Sequence, residues 1–89
     1  MMTLKEALLE LLKNPNHLGV ARNDMEGIVS ISANNLLTYI DYDSDLNVIY
    51  EICEYIPSLE DITCDYWYIV GKPTIKEILT VTQYKGMIN

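Results

Sequence analysis

The sequence predicts an α+β domain, with an N-terminal helix packed on an antiparallel sheet of about four to five strands and residues 74–83 adding a second helix or a further strand. Three observations lead there. Leu4, Ala7, Leu8, Leu11 and Leu12 recur at helical spacing. Short segments of alternating apolar and polar residues then follow one another between turn signals. Finally, Trp67, Tyr68, Ile69 and Val70 form an aromatic and β-branched run stopped by Gly71 and Pro73. No linker, internal repeat or low-complexity stretch divides the chain, so residues 1–89 are expected to fold as a single domain.

The helix is predicted over residues 3–13. Thr3 and Glu6 have the spacing of a capping box, and Lys5, Glu6, Glu10 and Lys13 take the face opposite the leucines. Asn14-Pro15-Asn16 ends it, because proline cannot continue the hydrogen-bond ladder and asparagine tolerates a left-handed cap. Strands are expected at Leu18 to Arg22, at Gly27 to Ala33 and, past an Asn34-Asn35 turn, at Leu36 to Tyr42. Asp43-Ser44-Asp45 predicts the next turn and Asn47 to Ile56 the next strand. Strict alternation there places Val48, Tyr50, Ile52 and Glu54 on one face and Ile49, Glu51, Cys53 and Tyr55 on the other. Both faces carry apolar groups, as in a sheet covered on one side by a helix and on the other by a partner chain. Thr74-Ile75-Lys76-Glu77 repeats the pattern of Thr3 to Glu6 and favours a helix to about Gln83, whereas Thr80, Val81 and Thr82 favour a strand. The tail from Tyr84 is expected to be loose.

Charge excludes one class of partner. Ten of the thirteen acids fall between Arg22 and Lys72, a span without any lysine or arginine, and the whole chain has six basic residues and a net charge of −7. Binding to a nucleic-acid backbone draws on several clustered cations, so direct nucleic-acid binding is not expected. The acidic belt reads either as a solvated face that keeps a small protein soluble or as a mimic of a phosphate backbone presented to a host nuclease. Seven tyrosines, one tryptophan and no phenylalanine suit surfaces that are apolar on one side and wet on the other, whether a solvated sheet face, a pocket or a contact between chains. The small core of a chain this short favours self-association. Lys5, Glu6 and Glu10 interrupt the first helix, so neither a signal peptide nor a membrane span is expected there, and the expected location is the cytoplasm.

Catalytic and metal constellations are sparse. His17 is the single histidine and has no serine or cysteine near it in sequence. Asp41, Asp43 and Asp45 resemble the start of a calcium loop, yet Leu46 stands where a glycine is required and Ile52 where a bidentate glutamate is required. Cys53 and Cys64 lack the further ligands of a zinc site and are expected as free thiols. The four glycines are isolated and make no phosphate-cradling loop. No catalytic residue, metal or cofactor is therefore assigned, and the chain reads as a binder rather than an enzyme.

Pro57 to Val70, PSLEDITCDYWYIV, condenses the most information. Ser58 and Asp61 can close a capping-box turn ahead of the Trp67 strand. The order of Ser58, Asp61-Ile62, Cys64 and Trp67 resembles that of the Thoeris anti-defence 2 family, small phage proteins that hold nucleotide immune signals. A further likeness lies in Thr3 to Leu8 and in Arg22 ahead of Gly27-Ile28. Met25 stands where that family has a tryptophan, and Tyr66 where it has an acid. The resemblance implies a non-catalytic protein of the host-cell cytoplasm that assembles as a dimer or tetramer. It implies sequestration of a cyclic nucleotide or cyclic ADP-ribose isomer made by a TIR-domain enzyme. It places ligand contacts at Arg22, Asn23, Asp24, Met25, Asp61, Tyr66 and Trp67. Rings at Tyr66, Trp67 or Tyr68 would stack on a base, and amides of the first helical turns after Thr3, Ser58 and Thr74 would receive phosphate.

Overall fold

A computed structural model describes residues 1–14, 16–71 and 78–88. Helix α1 (Leu4–Lys13) leads into strands β1 (His17–Ala21), β2 (Ile28–Ile31), β3 (Leu37–Asp43) and β4 (Val48–Glu54). A short helix α2 (Leu59–Thr63), strands β5 (Tyr68–Gly71) and β6 (Ile78–Leu79), and helix α3 (Val81–Met87) complete the order. The strands form a single sheet in the order β5-β1-β2-β3-β4-β6, antiparallel except where β6 joins β4 in parallel. The α+β class agrees with the sequence, but the sheet has six strands where four to five are expected. The additional strand, β6, is two residues long and too short to show any alternation.

Helix α1 forms because its cap and its apolar stripe agree. Thr3 Oγ1 accepts the Glu6 amide at 3.3 Å and the Glu6 carboxylate accepts the Thr3 amide at 3.0 Å, which satisfies donors that the first turn leaves unpaired. Leu4, Ala7 and Leu11 are buried against Val20, Val29 and Trp67, each large aliphatic side chain contributing roughly 1.5 to 3 kcal/mol through burial. Leu12 does not join them. At 63% exposed it lies on the rim of an apolar groove with Leu8, Leu9 and Ile62, because the leucine stripe is wider than the sheet beneath it. The C-cap also departs from expectation: Asn14 is extended, at φ −129°, and its side-chain oxygen accepts the Asn16 amide. The left-handed asparagines are Asn35 and Asn47, in the β2–β3 and β3–β4 turns.

The opposite face of the sheet has its own cluster, in which Leu18, Ile40 and Ile49 are buried with Ile28 and Val70 against them. Strict alternation fails in β4. Tyr39 pairs with Cys53 and the next residue, Ile40, with Glu51, so Ile52 is an extra residue in a bulge. Tyr50 and Cys53 therefore share a face, and the bulge brings Tyr55 round to the α1 side, where it packs with Tyr39.

At the C-terminal end, Thr80 and Gln83 form a capping box that starts α3. Of the helix and the strand weighed for residues 74–83, the described part contains both: Ile78 and Leu79 form β6 and the helix begins only after Thr80, so the tail from Tyr84 is ordered rather than loose. Tyr84 stacks on Tyr50 with ring centroids 3.7 Å apart and donates to Asp43 Oδ2 at 2.6 Å. The expected breaks at Pro15 and Pro73 and the helix start at Thr74 lie outside the described residues. No helix among the described residues is long and apolar enough to cross a membrane.

Candidate functional site

The end of β1 and the approach to β5 meet because Ala21 pairs with Tyr68, which puts Arg22 beside Trp67, far along the sequence. The Arg22 guanidinium lies over the Trp67 ring, 5.0 Å from its centroid, a cation–π geometry. Its Nη2 is 2.8 Å from Asp61 Oδ1 and its Nε 3.3 Å from Asp24 Oδ1. The Arg22 and Asp61 side chains are only 11% and 14% exposed. Asp61 is placed by α2: its amide donates to Ser58 Oγ at 3.1 Å, its Oδ2 accepts the Ser58 amide at 2.9 Å, and its backbone oxygen accepts Trp67 Nε1–H at 2.9 Å. The Ser58 box expected from sequence is present and aims one carboxylate at Arg22.

Above this group opens a cleft of about 440 Å³ whose lining includes Arg22, Met25, Tyr39, Cys53, Glu54, Tyr55, Ile56 and Asp61. Tyr39 and Tyr55 stack with centroids 6.2 Å apart, and the Tyr39 hydroxyl accepts the Gly27 amide at 2.7 Å. Gly27 is required by that close approach: a Cβ there would stand 2.5 Å from Tyr39 Cζ and 2.8 Å from the Ile40 carbonyl oxygen. Among the described residues, Arg22 Nε and Nη1 and the Tyr55 hydroxyl are buried without a hydrogen-bond partner. Another opening, about 410 Å³ beside the β2–β3 turn, is lined by Ser32, Asn34, Thr38 and Glu51 and has no such group.

Burial works against the Arg22 charge, but the contacts with Cys64, Asp24 and Asp61 outweigh it. Burial likewise pushes Asp61 up, and the Tyr55 hydroxyl, the Ser58 amide and hydroxyl and Arg22 together bring it below the usual carboxylate range. Tyr55 is driven up, first by burial and then by Asp61, which it faces without a well-formed hydrogen bond. The signs fix a pH profile. Asp61 contributes stability that is complete above its unfolded value near pH 3.9 and is lost as pH falls through its lower folded value, together with Glu6 and Asp43, which shift the same way. Tyr55, Tyr50 and Tyr84 contribute stability that is complete below about pH 10 and is lost as pH rises through their raised folded values. Urea midpoints measured against pH should therefore fall on both sides of a plateau, and Asp61→Asn should shrink the acid limb.

The residues expected from sequence divide. Arg22, Met25 and Asp61 line the cleft, whereas Trp67 is beneath it, 2% exposed, with one ring face under Arg22. Stacking of a base on Trp67 is corrected accordingly. Asn23 is exposed, the Asp24 side chain is 56% exposed, and Tyr66 is 51% exposed and does not line the cleft. The helix-start donors are partly occupied: at Thr3 and Ser58 the capping box takes the cap amide and the amide three residues on, and Thr74 lies outside the described residues. Tyr39, Glu54 and Tyr55 were not anticipated, and their signal was limited to the unusual tyrosine content. His17 begins β1, at the end opposite Arg22. Cys53 and Cys64 are free, Cys53 exposed and Cys64 half-buried. Among the described residues no group of three or more His, Cys, Asp or Glu side chains gathers as a metal site. Comparison with family models, with curated proteins and with solved structures found no match to this chain.

Proposed function

We propose that this protein is a non-catalytic binder that sequesters a small nucleotide-derived signalling molecule in the Arg22 cleft, acting in the cytoplasm. The observation that carries the reading is the cleft of about 440 Å³ whose lining sets the Arg22 cation beside the apolar and aromatic surface of Met25, Tyr39 and Tyr55. The walls suit such a ligand, since Met25 and Tyr39 offer apolar and aromatic surface. The resemblance of Ser58, Asp61-Ile62, Cys64 and Trp67 to the Thoeris anti-defence 2 family supports a cyclic nucleotide or cyclic ADP-ribose isomer as the ligand class. Sequestration requires affinity and copy number only.

The competing reading, an acidic mimic of nucleic acid, is weakened by what the acids do. Asp43 accepts the Asp45 and Leu46 amides and the Tyr84 hydroxyl, and Asp41 accepts the Tyr42 amide and the Tyr50 hydroxyl. Both carboxylates hold the fold together before they face any partner.

A thermal-shift panel of cyclic nucleotides and cyclic ADP-ribose isomers tests the proposal. A ligand at a hundred times its dissociation constant stabilises the native state by about 2.7 kcal/mol, roughly 10 to 20 °C in a domain of this size. No shift with any member of the panel would remove the reading. Self-association belongs to the same proposal. Tyr50 is covered by Tyr84 of its own chain, which leaves Ile52, at 40% exposed, and the apolar rim at Leu9, Leu12 and Ile62 for contact with a second copy. Light scattering at micromolar concentration should give a dimer or tetramer, and a monomeric mass would contradict it.

A further inference from the structure

We infer that the C-terminal arm formed by β6 and α3 is exchanged between two copies of this chain, each arm docking on β4 of the other copy, an inference that goes beyond ligand capture and does not depend on it. The sheet topology carries it. β5 and β6 stand at opposite edges, with β1, β2, β3 and β4 between them, about 24 Å across at the usual strand spacing. The two ends are also offset along the strands. Gly71 pairs with His17 at the start of β1, whereas Ile78 pairs with Ile49, which faces Tyr42 toward the far end of β3, an offset of about five residues or roughly 16 Å. Crossing a flat sheet on that diagonal needs about 29 Å. Residues 72–77 alone separate Gly71 from Ile78, and a chain of that length reaches about 25 Å when fully extended. An arm therefore reaches β4 of its own copy only where the sheet curls until its edges approach. Exchange between identical copies keeps every contact of the arm and removes that limit.

The arm is also built to detach. Among the described residues neither buried cluster includes a residue beyond Val70, so the core is complete without β6 and α3. Helix α3 buries none of its residues, and Ile78, Met87 and Ile88 remain half-exposed. What holds the arm is a small set of contacts on one strand pair. Ile78 and Leu79 pair with Ile49 and Tyr50, the Tyr84 ring centroid lies 3.7 Å from that of Tyr50, and the Tyr84 hydroxyl donates to Asp43 Oδ2 at 2.6 Å. All of these anchors lie on β3 or β4, at the edge of the sheet opposite the strand that the arm leaves. A second copy presents the same surface, so the exchanged dimer keeps the Tyr50 stack and the Asp43 hydrogen bond and joins two complete cores through them.

Light scattering of the wild-type chain and of a variant with about eight glycine and serine residues inserted between Pro73 and Thr74 tests this, because the longer, flexible connection lets each arm reach β4 of its own copy. At micromolar concentration the wild type should have the mass of a dimer or tetramer, and the insertion variant half that mass. A mixing experiment reads the exchange separately. In a dimer of Tyr50→Ala chains, or of Tyr84→Ala chains, both arm contacts are damaged. A mixed dimer restores one complete contact, Tyr84 of the first copy on Tyr50 of the second, and collects both losses in the other. The mixture should therefore associate about two- to tenfold more tightly than either variant alone, the range expected for one stacked aromatic pair. Equal masses for the wild type and the insertion variant, or a mixture no tighter than its components, would overturn the exchange and leave ligand capture standing. A monomeric wild type would overturn it together with self-association.

Discussion

Trp67→Ala is expected to destabilise the protein by about 4 to 6 kcal/mol, the largest loss among the substitutions considered. Removal of a fully buried tryptophan costs about 3 to 5 kcal/mol through lost burial and the cavity left behind. Trp67 is 2% exposed, packed among Leu4, Ala7, Leu11, Val20 and Val29. The substitution also orphans the Asp61 carbonyl that accepts from its indole N–H, about 1 kcal/mol more, and takes away the ring on which the Arg22 guanidinium rests. Against a total stability of roughly 5 to 13 kcal/mol for a domain of this length, that loss takes from about a third to all of the margin. Far-UV circular dichroism with urea titration measures it directly. A folded variant with a wild-type midpoint would show that Trp67 serves the cleft rather than the core.

Asp61→Ala should produce the next largest loss. It leaves the Arg22 charge with only the more exposed Asp24 near it and breaks the capping box of α2. Removal of one partner of a buried ion pair costs about 3 to 5 kcal/mol, and the slight exposure of both side chains brings the expectation to about 2 to 4 kcal/mol. In a double-mutant cycle, Arg22→Ala combined with Asp61→Ala should be less destabilising than the two losses added, because each single change strands the other charge. Strict additivity in urea midpoints would mean that the 2.8 Å contact carries no energy.

These two residues also mark where sequence was informative. The Ser58–Asp61 box and the Thr3–Glu6 box could be read from spacing because a cap is a local device, closed within three residues. The buried strand cores could be read for the same reason, since alternation is a property of neighbours. The cleft could not. Tyr39 and Tyr55 meet only because a bulge at Ile52 shifts the register of β4, and a bulge leaves no mark in a run as evenly apolar as Val48 to Ile56. Leu12 shows the opposite error, a residue with the periodicity of the core that the sheet does not reach. Trp67 is read from sequence as a ligand contact, and its 2% exposure puts it in the core, beneath the site rather than in it.

The most direct test of ligand capture at Arg22 is calorimetric titration of cyclic ADP-ribose isomers and cyclic nucleotides into the wild-type protein and Arg22→Ala, below the melting temperature of the variant. Stoichiometric binding is predicted for at least one of them, with the ligand recovered chemically unchanged. Arg22→Ala should lose a hydrogen bond from a charged donor worth about 1.5 to 3 kcal/mol, and bind roughly ten- to a hundredfold more weakly. Reversal of the exposed acids Glu26, Asp45 and Asp65 to lysine should leave that affinity in place. Undiminished binding by Arg22→Ala, or no binding by the wild type together with loss of biological activity on the acid reversals, would contradict the account and favour the mimic.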